Sequence, residues 1–234
     1  MTVRSGWWRG RRIRRPHGRG LMVVAVVGLV LVGCGAPSYT YVTNSADRAY
    51  MKVPNTWRQI DPKDIKSQVG VEPAKDSSKG LWLEAYDANA SPSVSHVFDS
   101  PVGPAAPAIL VVVQAIPVQS RGQFGLDSLR DFFHPVSASA RQQFMAMGKQ
   151  NPYSGFTSVS DEVLTPGDGI RGVHSVYSYR INGGDAQVFD LTGYLNDDAS
   201  KLSVAVARCS LDCFEQRHQE IDSVVSSFTV REAP

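Results

Sequence analysis

The chain has 234 residues, 42% of them hydrophobic, and a formal net charge of +2 from 24 Lys and Arg against 22 Asp and Glu. The balance is uneven, because Arg4, Arg9, Arg11, Arg12, Arg14, Arg15 and Arg19 all precede the first acidic residue, Asp47. Taking those seven from 24 leaves 17 basic groups against 22 acidic ones over residues 34–234, about −5, which argues against nucleic-acid binding with its need for a basic patch.

The basic segment runs into an apolar stretch of about 12 residues, Leu21 to Val32, broken only by Gly28. A basic flank, a short apolar core and small residues at the exit are the parts of a secretory signal. A spanning helix needs roughly 20 apolar residues, so an uncleaved anchor is the weaker alternative. The stretch ends in Leu31-Val32-Gly33-Cys34. That ending resembles the lipobox of bacterial lipoproteins, in which the thiol takes diacylglycerol and the chain is cut just before the cysteine. The resemblance implies a signal over 1–33, lipid on Cys34, a tether over 34–38 and one domain over 39–234. It places that domain on the outer face of the cytoplasmic membrane, with the membrane as a partner through the lipid. The pairs Arg11-Arg12 and Arg14-Arg15 leave twin-arginine export open beside the general route.

In the remaining chain, Tyr39 to Val42 and Ala49 to Val53 read as short strands with a polar break between them. Asp61-Pro62 starts a short helix, with Asp as N-cap and Pro at N1. Leu81 to Tyr86 is another strand. Residues 88–107 carry Pro92, Pro101, Pro104 and Pro107 among Ser, Ala and Gly, and read as a long loop. Loops of about 20 residues are uncommon in compact domains and are often mobile or functional. Ile109 to Ile116 is almost wholly apolar, the pattern of a central strand covered on both faces.

Asp127 to Phe133 and Ser137 to Met147 read as helical, separated by Pro135. Strands follow at Phe156 to Leu164, Val173 to Ile181, Gln187 to Leu195 and Leu202 to Arg208. Val173, Ser175, Tyr177, Tyr179 and Ile181 alternate with His174, Ser178 and Arg180, and Leu202, Val204 and Val206 with Lys201, Ser203 and Ala205. Period two predicts one buried and one open face. Asn182-Gly183-Gly184-Asp185 is a hairpin turn, and Asn196-Asp197-Asp198 marks the next. A closing helix spans about Asp212 to Ser226, with Asp212 and Glu215 at capping-box spacing and Phe214, His218, Ile221, Val225 and Phe228 on one face.

The two ends carry a second resemblance. A tyrosine-rich first strand, then Val53-Pro54 and Trp57, and a last helix reading Glu220-Ile221-Asp222-Ser223-Val224-Val225-Ser226-Ser227-Phe228-Thr229-Val230, resemble the PsbP-like superfamily. The lipobox points to its branch of LpqN-type actinobacterial lipoproteins. The resemblance implies an α+β fold: an antiparallel β-sheet between helices, an α/β/α sandwich. It also implies a non-enzymatic module of the cell envelope that binds a protein or a small ligand, with no cofactor. The rival reading is an envelope hydrolase with a dispersed site.

Candidate motifs are few. Gly167-Asp168-Gly169-Ile170-Arg171-Gly172 matches a dinucleotide fingerprint in letters, but Pro166 precedes it and a strand follows, so it reads as a turn. His96, His134 and His174 are the histidines a dispersed catalytic set would draw on, while His218 reads as a core residue. No histidine pair has metal-ligand spacing, and no metal site is assigned. Asp185, Asp190, Asp197 and Asp198 read as turn residues. Once Cys34 is lipidated, Cys209 and Cys213 remain as a pair. In an oxidising compartment they are expected to bridge, with two buried free thiols as the alternative. Binding is expected at the sheet edge or through the 88–107 loop.

Overall fold

Alternation of apolar residues along the strands sets the architecture. The computed structural model describes residues 38–69 and 80–231. The expected signal 1–33, the lipidation site Cys34 and most of the tether 34–38 lie outside the described residues.

The main sheet has seven antiparallel strands. Their spatial order is β3 (Arg58–Gln59), β4 (Leu81–Asp87), β5 (Ala108–Ala115), β9 (Lys201–Ser210), β8 (Ala186–Leu195), β7 (Ile170–Ile181) and β6 (Tyr153–Gly167). A small antiparallel sheet joins β1 (Tyr39–Asn44), β2 (Ala49–Pro54) and β10 (Thr229–Val230). Among the described residues there are four α-helices: α1 (Pro62–Gln68), α2 (Leu126–Arg130), α3 (Ala138–Ala146) and α4 (Leu211–Val225). Asp61 caps α1 as expected, its carboxylate accepting from the Lys63 amide, with Pro62 in the first turn.

Each face of the main sheet has its own core. On one, Ala85, Leu110, Val112, Tyr177, Tyr179, Leu191, Val204 and Val206 pack beneath Ile65 of α1, Leu129 of α2 and Val136. On the other, Ile109, Val111, Val113, Ala205 and Ala207 pack beneath Ile221, Val224 and Val225 of α4 and beneath Met51 and Val53 of the small sheet. Complete burial of a side chain such as Ile109 contributes about 2 kcal/mol. Residues one apart along β5 therefore serve opposite cores, which is why that strand is apolar throughout.

Several expectations need correction. β9 is covered on both sides, because α4 closes the face that Ser203 and Ala205 present. Small residues there let the helix approach. α4 is capped by Ser210, whose hydroxyl accepts from the Cys213 amide. The Asp212 capping box does not form, because the chain leaves β9 at Ser210 and is already helical at Leu211. His218 is exposed, since the inward stripe of α4 runs through Cys213, Ile221, Val224 and Val225. Asp190 is not in a turn but buried in the middle of β8.

The 88–107 loop is bound to the body of the domain. Its Pro104 carbonyl accepts from the Ser210 amide at 2.9 Å, and its two ends are tied together by the Ala88 amide donating to the Pro107 carbonyl at 2.9 Å. Gln187 Nε2 donates to the Ser100 carbonyl at 2.7 Å. The loop also presses on the hairpin after β7, where a Cβ on Gly184 would stand 1.9 Å from the Pro101 oxygen. The dinucleotide-like letters form a hairpin between β6 and β7, with Gly167, Asp168 and Gly169 all at positive φ.

Candidate functional site

The face of the sheet opposite α4 carries the polar and aromatic groups of interest. The segment from Asp131 to Ser137 crosses it as a tight bridge between α2 and α3. Asp131 organises the bridge, because its carboxylate accepts from the Val136 and Ser137 amides at 2.8 and 2.7 Å and from the Ser137 hydroxyl at 2.6 Å. Ser137 in turn caps α3 by accepting from the Ala140 amide. From below, the Tyr179 hydroxyl donates to the Pro135 carbonyl.

This bridge lowers His134 into the sheet. The imidazole is 4% exposed and sits among the rings of Tyr153, Tyr177, Tyr179 and Phe189. Its Nδ1 is 2.9 Å from the Tyr177 hydroxyl and its Nε2 is 3.0 Å from Asp99 Oδ1. The Tyr153 hydroxyl donates to the other Asp99 oxygen at 2.9 Å. Both ring nitrogens are thus engaged, one with the Tyr177 hydroxyl and the other with Asp99. Burial alone would raise the Asp99 pKa. The hydrogen bonds from His134 and Tyr153 outweigh it and hold the carboxyl below its ordinary 3.8. Tyr177 is pushed well above 10 by desolvation, with Asp99 adding to the effect.

The other two histidines singled out from the sequence also pair with aspartate, but at separate places. His96 Nδ1 lies 2.6 Å from Asp87, and His174 Nε2 lies 2.8 Å from Asp190. Among the described residues, none of the three imidazoles hydrogen-bonds a serine, threonine or cysteine. His174 belongs to the face covered by α4, where ligand-type atoms of His174, Asp190 and Asp222 come within 4.8 Å of one another. Sequence spacing gives no sign of that cluster, because it joins β7, β8 and α4.

Arg208 is the buried charge that sequence reasoning missed. It is 2% exposed at the end of β9. Nε donates to Gln187 Oε1, Nη1 to the carbonyls of Ser95 and Phe98, and Nη2 to those of Ser100 and Val102. Desolvation lowers its pKa to about 10. Four of its five acceptors are main-chain oxygens, the other being the Gln187 side chain, so no charge pattern in the sequence announces it.

Three cavities open on this face. One of about 320 Å³ lies among Phe98, Phe132, Phe133, Phe189, His134 and Arg208. A second, of about 380 Å³, is hydroxyl-rich, with Ser137, Ser158, Ser160 and Ser175 beside Arg141. The third, of about 310 Å³, is more apolar, with Phe144, Met145, Tyr153 and Tyr179. Arg141 and Phe156 border both of the last two.

At the start of α4, Cys209 and Cys213 are disulfide-bonded with their Cα atoms 5.8 Å apart.

Neither a family model nor a curated protein matches the chain. A solved structure does: cyanobacterial PsbP (CyanoP) from Synechocystis sp. PCC 6803, at 17% identity and a TM-score of 0.50, covering 85% of this chain and 96% of that one. The fold is PsbP-like. Two further structures match the chain more loosely. The Ran-binding protein Mog1p of Saccharomyces cerevisiae does so at 10% identity and a TM-score of 0.40, covering 82% of this chain and 95% of that one. LpqN of Mycobacterium tuberculosis, described as involved in cell envelope biogenesis, does so at 14% and 0.38, covering 83% and 91%.

Proposed function

We propose that the chain is an exported, lipid-anchored accessory module of the cell envelope, whose PsbP-like domain binds a small ligand between α3 and the β6–β7 edge of the main sheet. The observation that carries this reading is the pair of cavities of about 380 and 310 Å³ that meet at Phe156. Ligand sites are concave, largely apolar and supplied with a few oriented polar groups, and this pair has that character. The N-terminal pattern ending in Leu-Val-Gly-Cys supports the envelope location and the anchor at Cys34. The resemblance to PsbP-like modules supports binding.

The hydrolase alternative is the weaker one on chemical grounds. The group on His134 Nδ1 is a tyrosine whose buried hydroxyl resists ionisation, and a nucleophile has to be activated and reachable. His134 is itself shut off from solvent.

The test is recovery of the protein from membranes in mild detergent, followed by denaturation and mass spectrometry of released small molecules. A compound enriched on the native protein and lost from Phe144→Glu, which places a charge in the apolar cavity, is the expected result. A stoichiometric protein partner with no small molecule would replace the ligand in this reading.

A further inference from the structure

We propose that Arg141 is an anchor for an oxyanion on the ligand, so that the site selects an apolar body bearing a carboxylate, sulfonate or phosphate group. The proposal rests on the binding reading above and adds the chemical class.

Arg141 projects from the second turn of α3. Its guanidinium lies 4.2 Å from the centre of the Phe156 ring, within cation–π distance. One Nη1 bond to the Val136 carbonyl fixes its direction. The remaining donors of the five-donor fork have no protein acceptor among the described residues. Arg141 lines both of the adjoining cavities.

The other arginines that face acids here are engaged. Arg130 in the same hydroxyl-rich cavity is held by both oxygens of Asp161 and by Asp127. Arg121 holds Asp198 and Arg217 holds Glu220. Asp131, close by in the bridge, spends its oxygens on Val136 and Ser137. Among the described residues, no carboxylate lies within ion-pair distance of Arg141. A guanidinium held on an aromatic face, lining two cavities and with donors to spare, is suited to bidentate recognition of an oxyanion.

The surroundings define the rest of the ligand. On one side of Arg141 lie Phe144, Met145 and Tyr179, which suit an apolar body. On the other lie the hydroxyls of Ser158 and Ser160, which can donate to further oxygens of the anion. Half-burial of Arg141 reduces solvent screening of the charge pair without the full cost of burying the cation.

A matched pair of fluorescent probes tests this on the folded protein. One is 8-anilinonaphthalene-1-sulfonate and the other is N-phenyl-1-naphthylamine, the same rings without the sulfonate. The wild type should bind the sulfonate about tenfold or more tightly than the neutral probe, as a charge-assisted contact implies. Arg141→Met should remove that preference while leaving the neutral probe within about twofold of the wild type. Arg141→Lys should keep part of it, because an ammonium attracts the anion without the fork. If the methionine variant does not fold, the wild type still decides the matter. Rising salt should weaken the sulfonate probe and spare the neutral one. Equal binding of both probes with no salt dependence overturns the anchor and leaves the cavity reading standing. Failure of both probes to bind the wild type overturns both.

Discussion

His174 Nε2 stands 2.8 Å from Asp190 Oδ1, tying β7 to β8 beneath α4. The hydrogen bond to Asp190 raises the His174 pKa above 6.5 against the opposing effect of burial, with Asp222 and Glu162 adding in the same direction. Burial raises that of Asp190 above 3.8, and the imidazole draws it only part of the way back. Both shifts have one sign, so the pair holds its protons longer in the folded state. For His174, the stabilisation is fully present below 6.5 and is lost as pH rises through the raised folded value. Urea unfolding followed upward from pH 6 should show this decline, and His174→Gln should flatten it. A decline of equal size in the variant would assign it elsewhere.

Arg208 should be the most sensitive polar position in the domain. Replacement by Met leaves the carbonyls of Ser95, Phe98 and Val102 without their donor, while that of Ser100 keeps only Gln187 Nε2. Unmet buried polar groups cost about 1–3 kcal/mol each where water cannot reach them. A total loss of at least about 3 kcal/mol is expected, together with rapid proteolysis between 88 and 107. Arg208→Lys should recover little, because a point ammonium cannot serve acceptors on several sides. Excising residues 91–106 should also destabilise the domain, since it would strand the guanidinium. Chemical unfolding and limited proteolysis measure both effects, and an intact loop in Arg208→Met would refute the anchoring role.

What was legible in the sequence follows the range of the interactions. The alternation of Val173, Tyr177, Tyr179 and Ile181 against His174 is a local pattern, and it separated the two faces of β7, but the face of His174 is partly covered by α4 rather than open. Asn182-Gly183 announced its hairpin through the positive φ both residues adopt. The apolar run at 109–113 announced a strand with two cores. Asp190 was misread because a lone acid among turn-adjacent residues looks like turn chemistry, whereas its partner lies 16 positions away on the next strand. The 88–107 loop looked unattached because what it offers Arg208 is backbone oxygen, which every residue carries. His134 and Asp99 are 35 positions apart, and only the bridge organised by Asp131 brings them together. Nothing in the local sequence sets Arg141 apart, because Phe156, whose ring it lies over, is 15 positions away on β6.

The Cys209–Cys213 bridge closes a short loop across the junction of β9 and α4. Loop-entropy arguments give it about 2 kcal/mol. Both cysteines are nearly inaccessible, so reduction of the native protein should be slow and should accelerate under denaturant. The double variant Cys209→Ala with Cys213→Ala should unfold at lower urea concentration. Its α4 should keep the Ser210 cap, visible as unchanged far-ultraviolet circular dichroism. Two free thiols at 209 and 213 in unreduced, denatured exported protein would remove the bridge from the account.

Anchoring through Cys34 is the prediction on which the location of the proposed activity depends. The Leu-Val-Gly-Cys ending follows an apolar run too short for a comfortable span. Each buried methylene contributes about 0.8 kcal/mol to membrane attachment, so the two or more chains of a lipidated cysteine hold the domain firmly. Cys34→Ala should abolish incorporation of labelled palmitate and block normal removal of residues 1–33. Mass spectrometry of the wild-type N-terminus should find a chain beginning at an acylated Cys34. A free thiol at Cys34 of a cleaved chain would detach the domain from the membrane face, and a retained leader would put an uncleaved anchor in place of the lipid. The cavity chemistry at Arg141 and Phe156 would be left to operate in another setting.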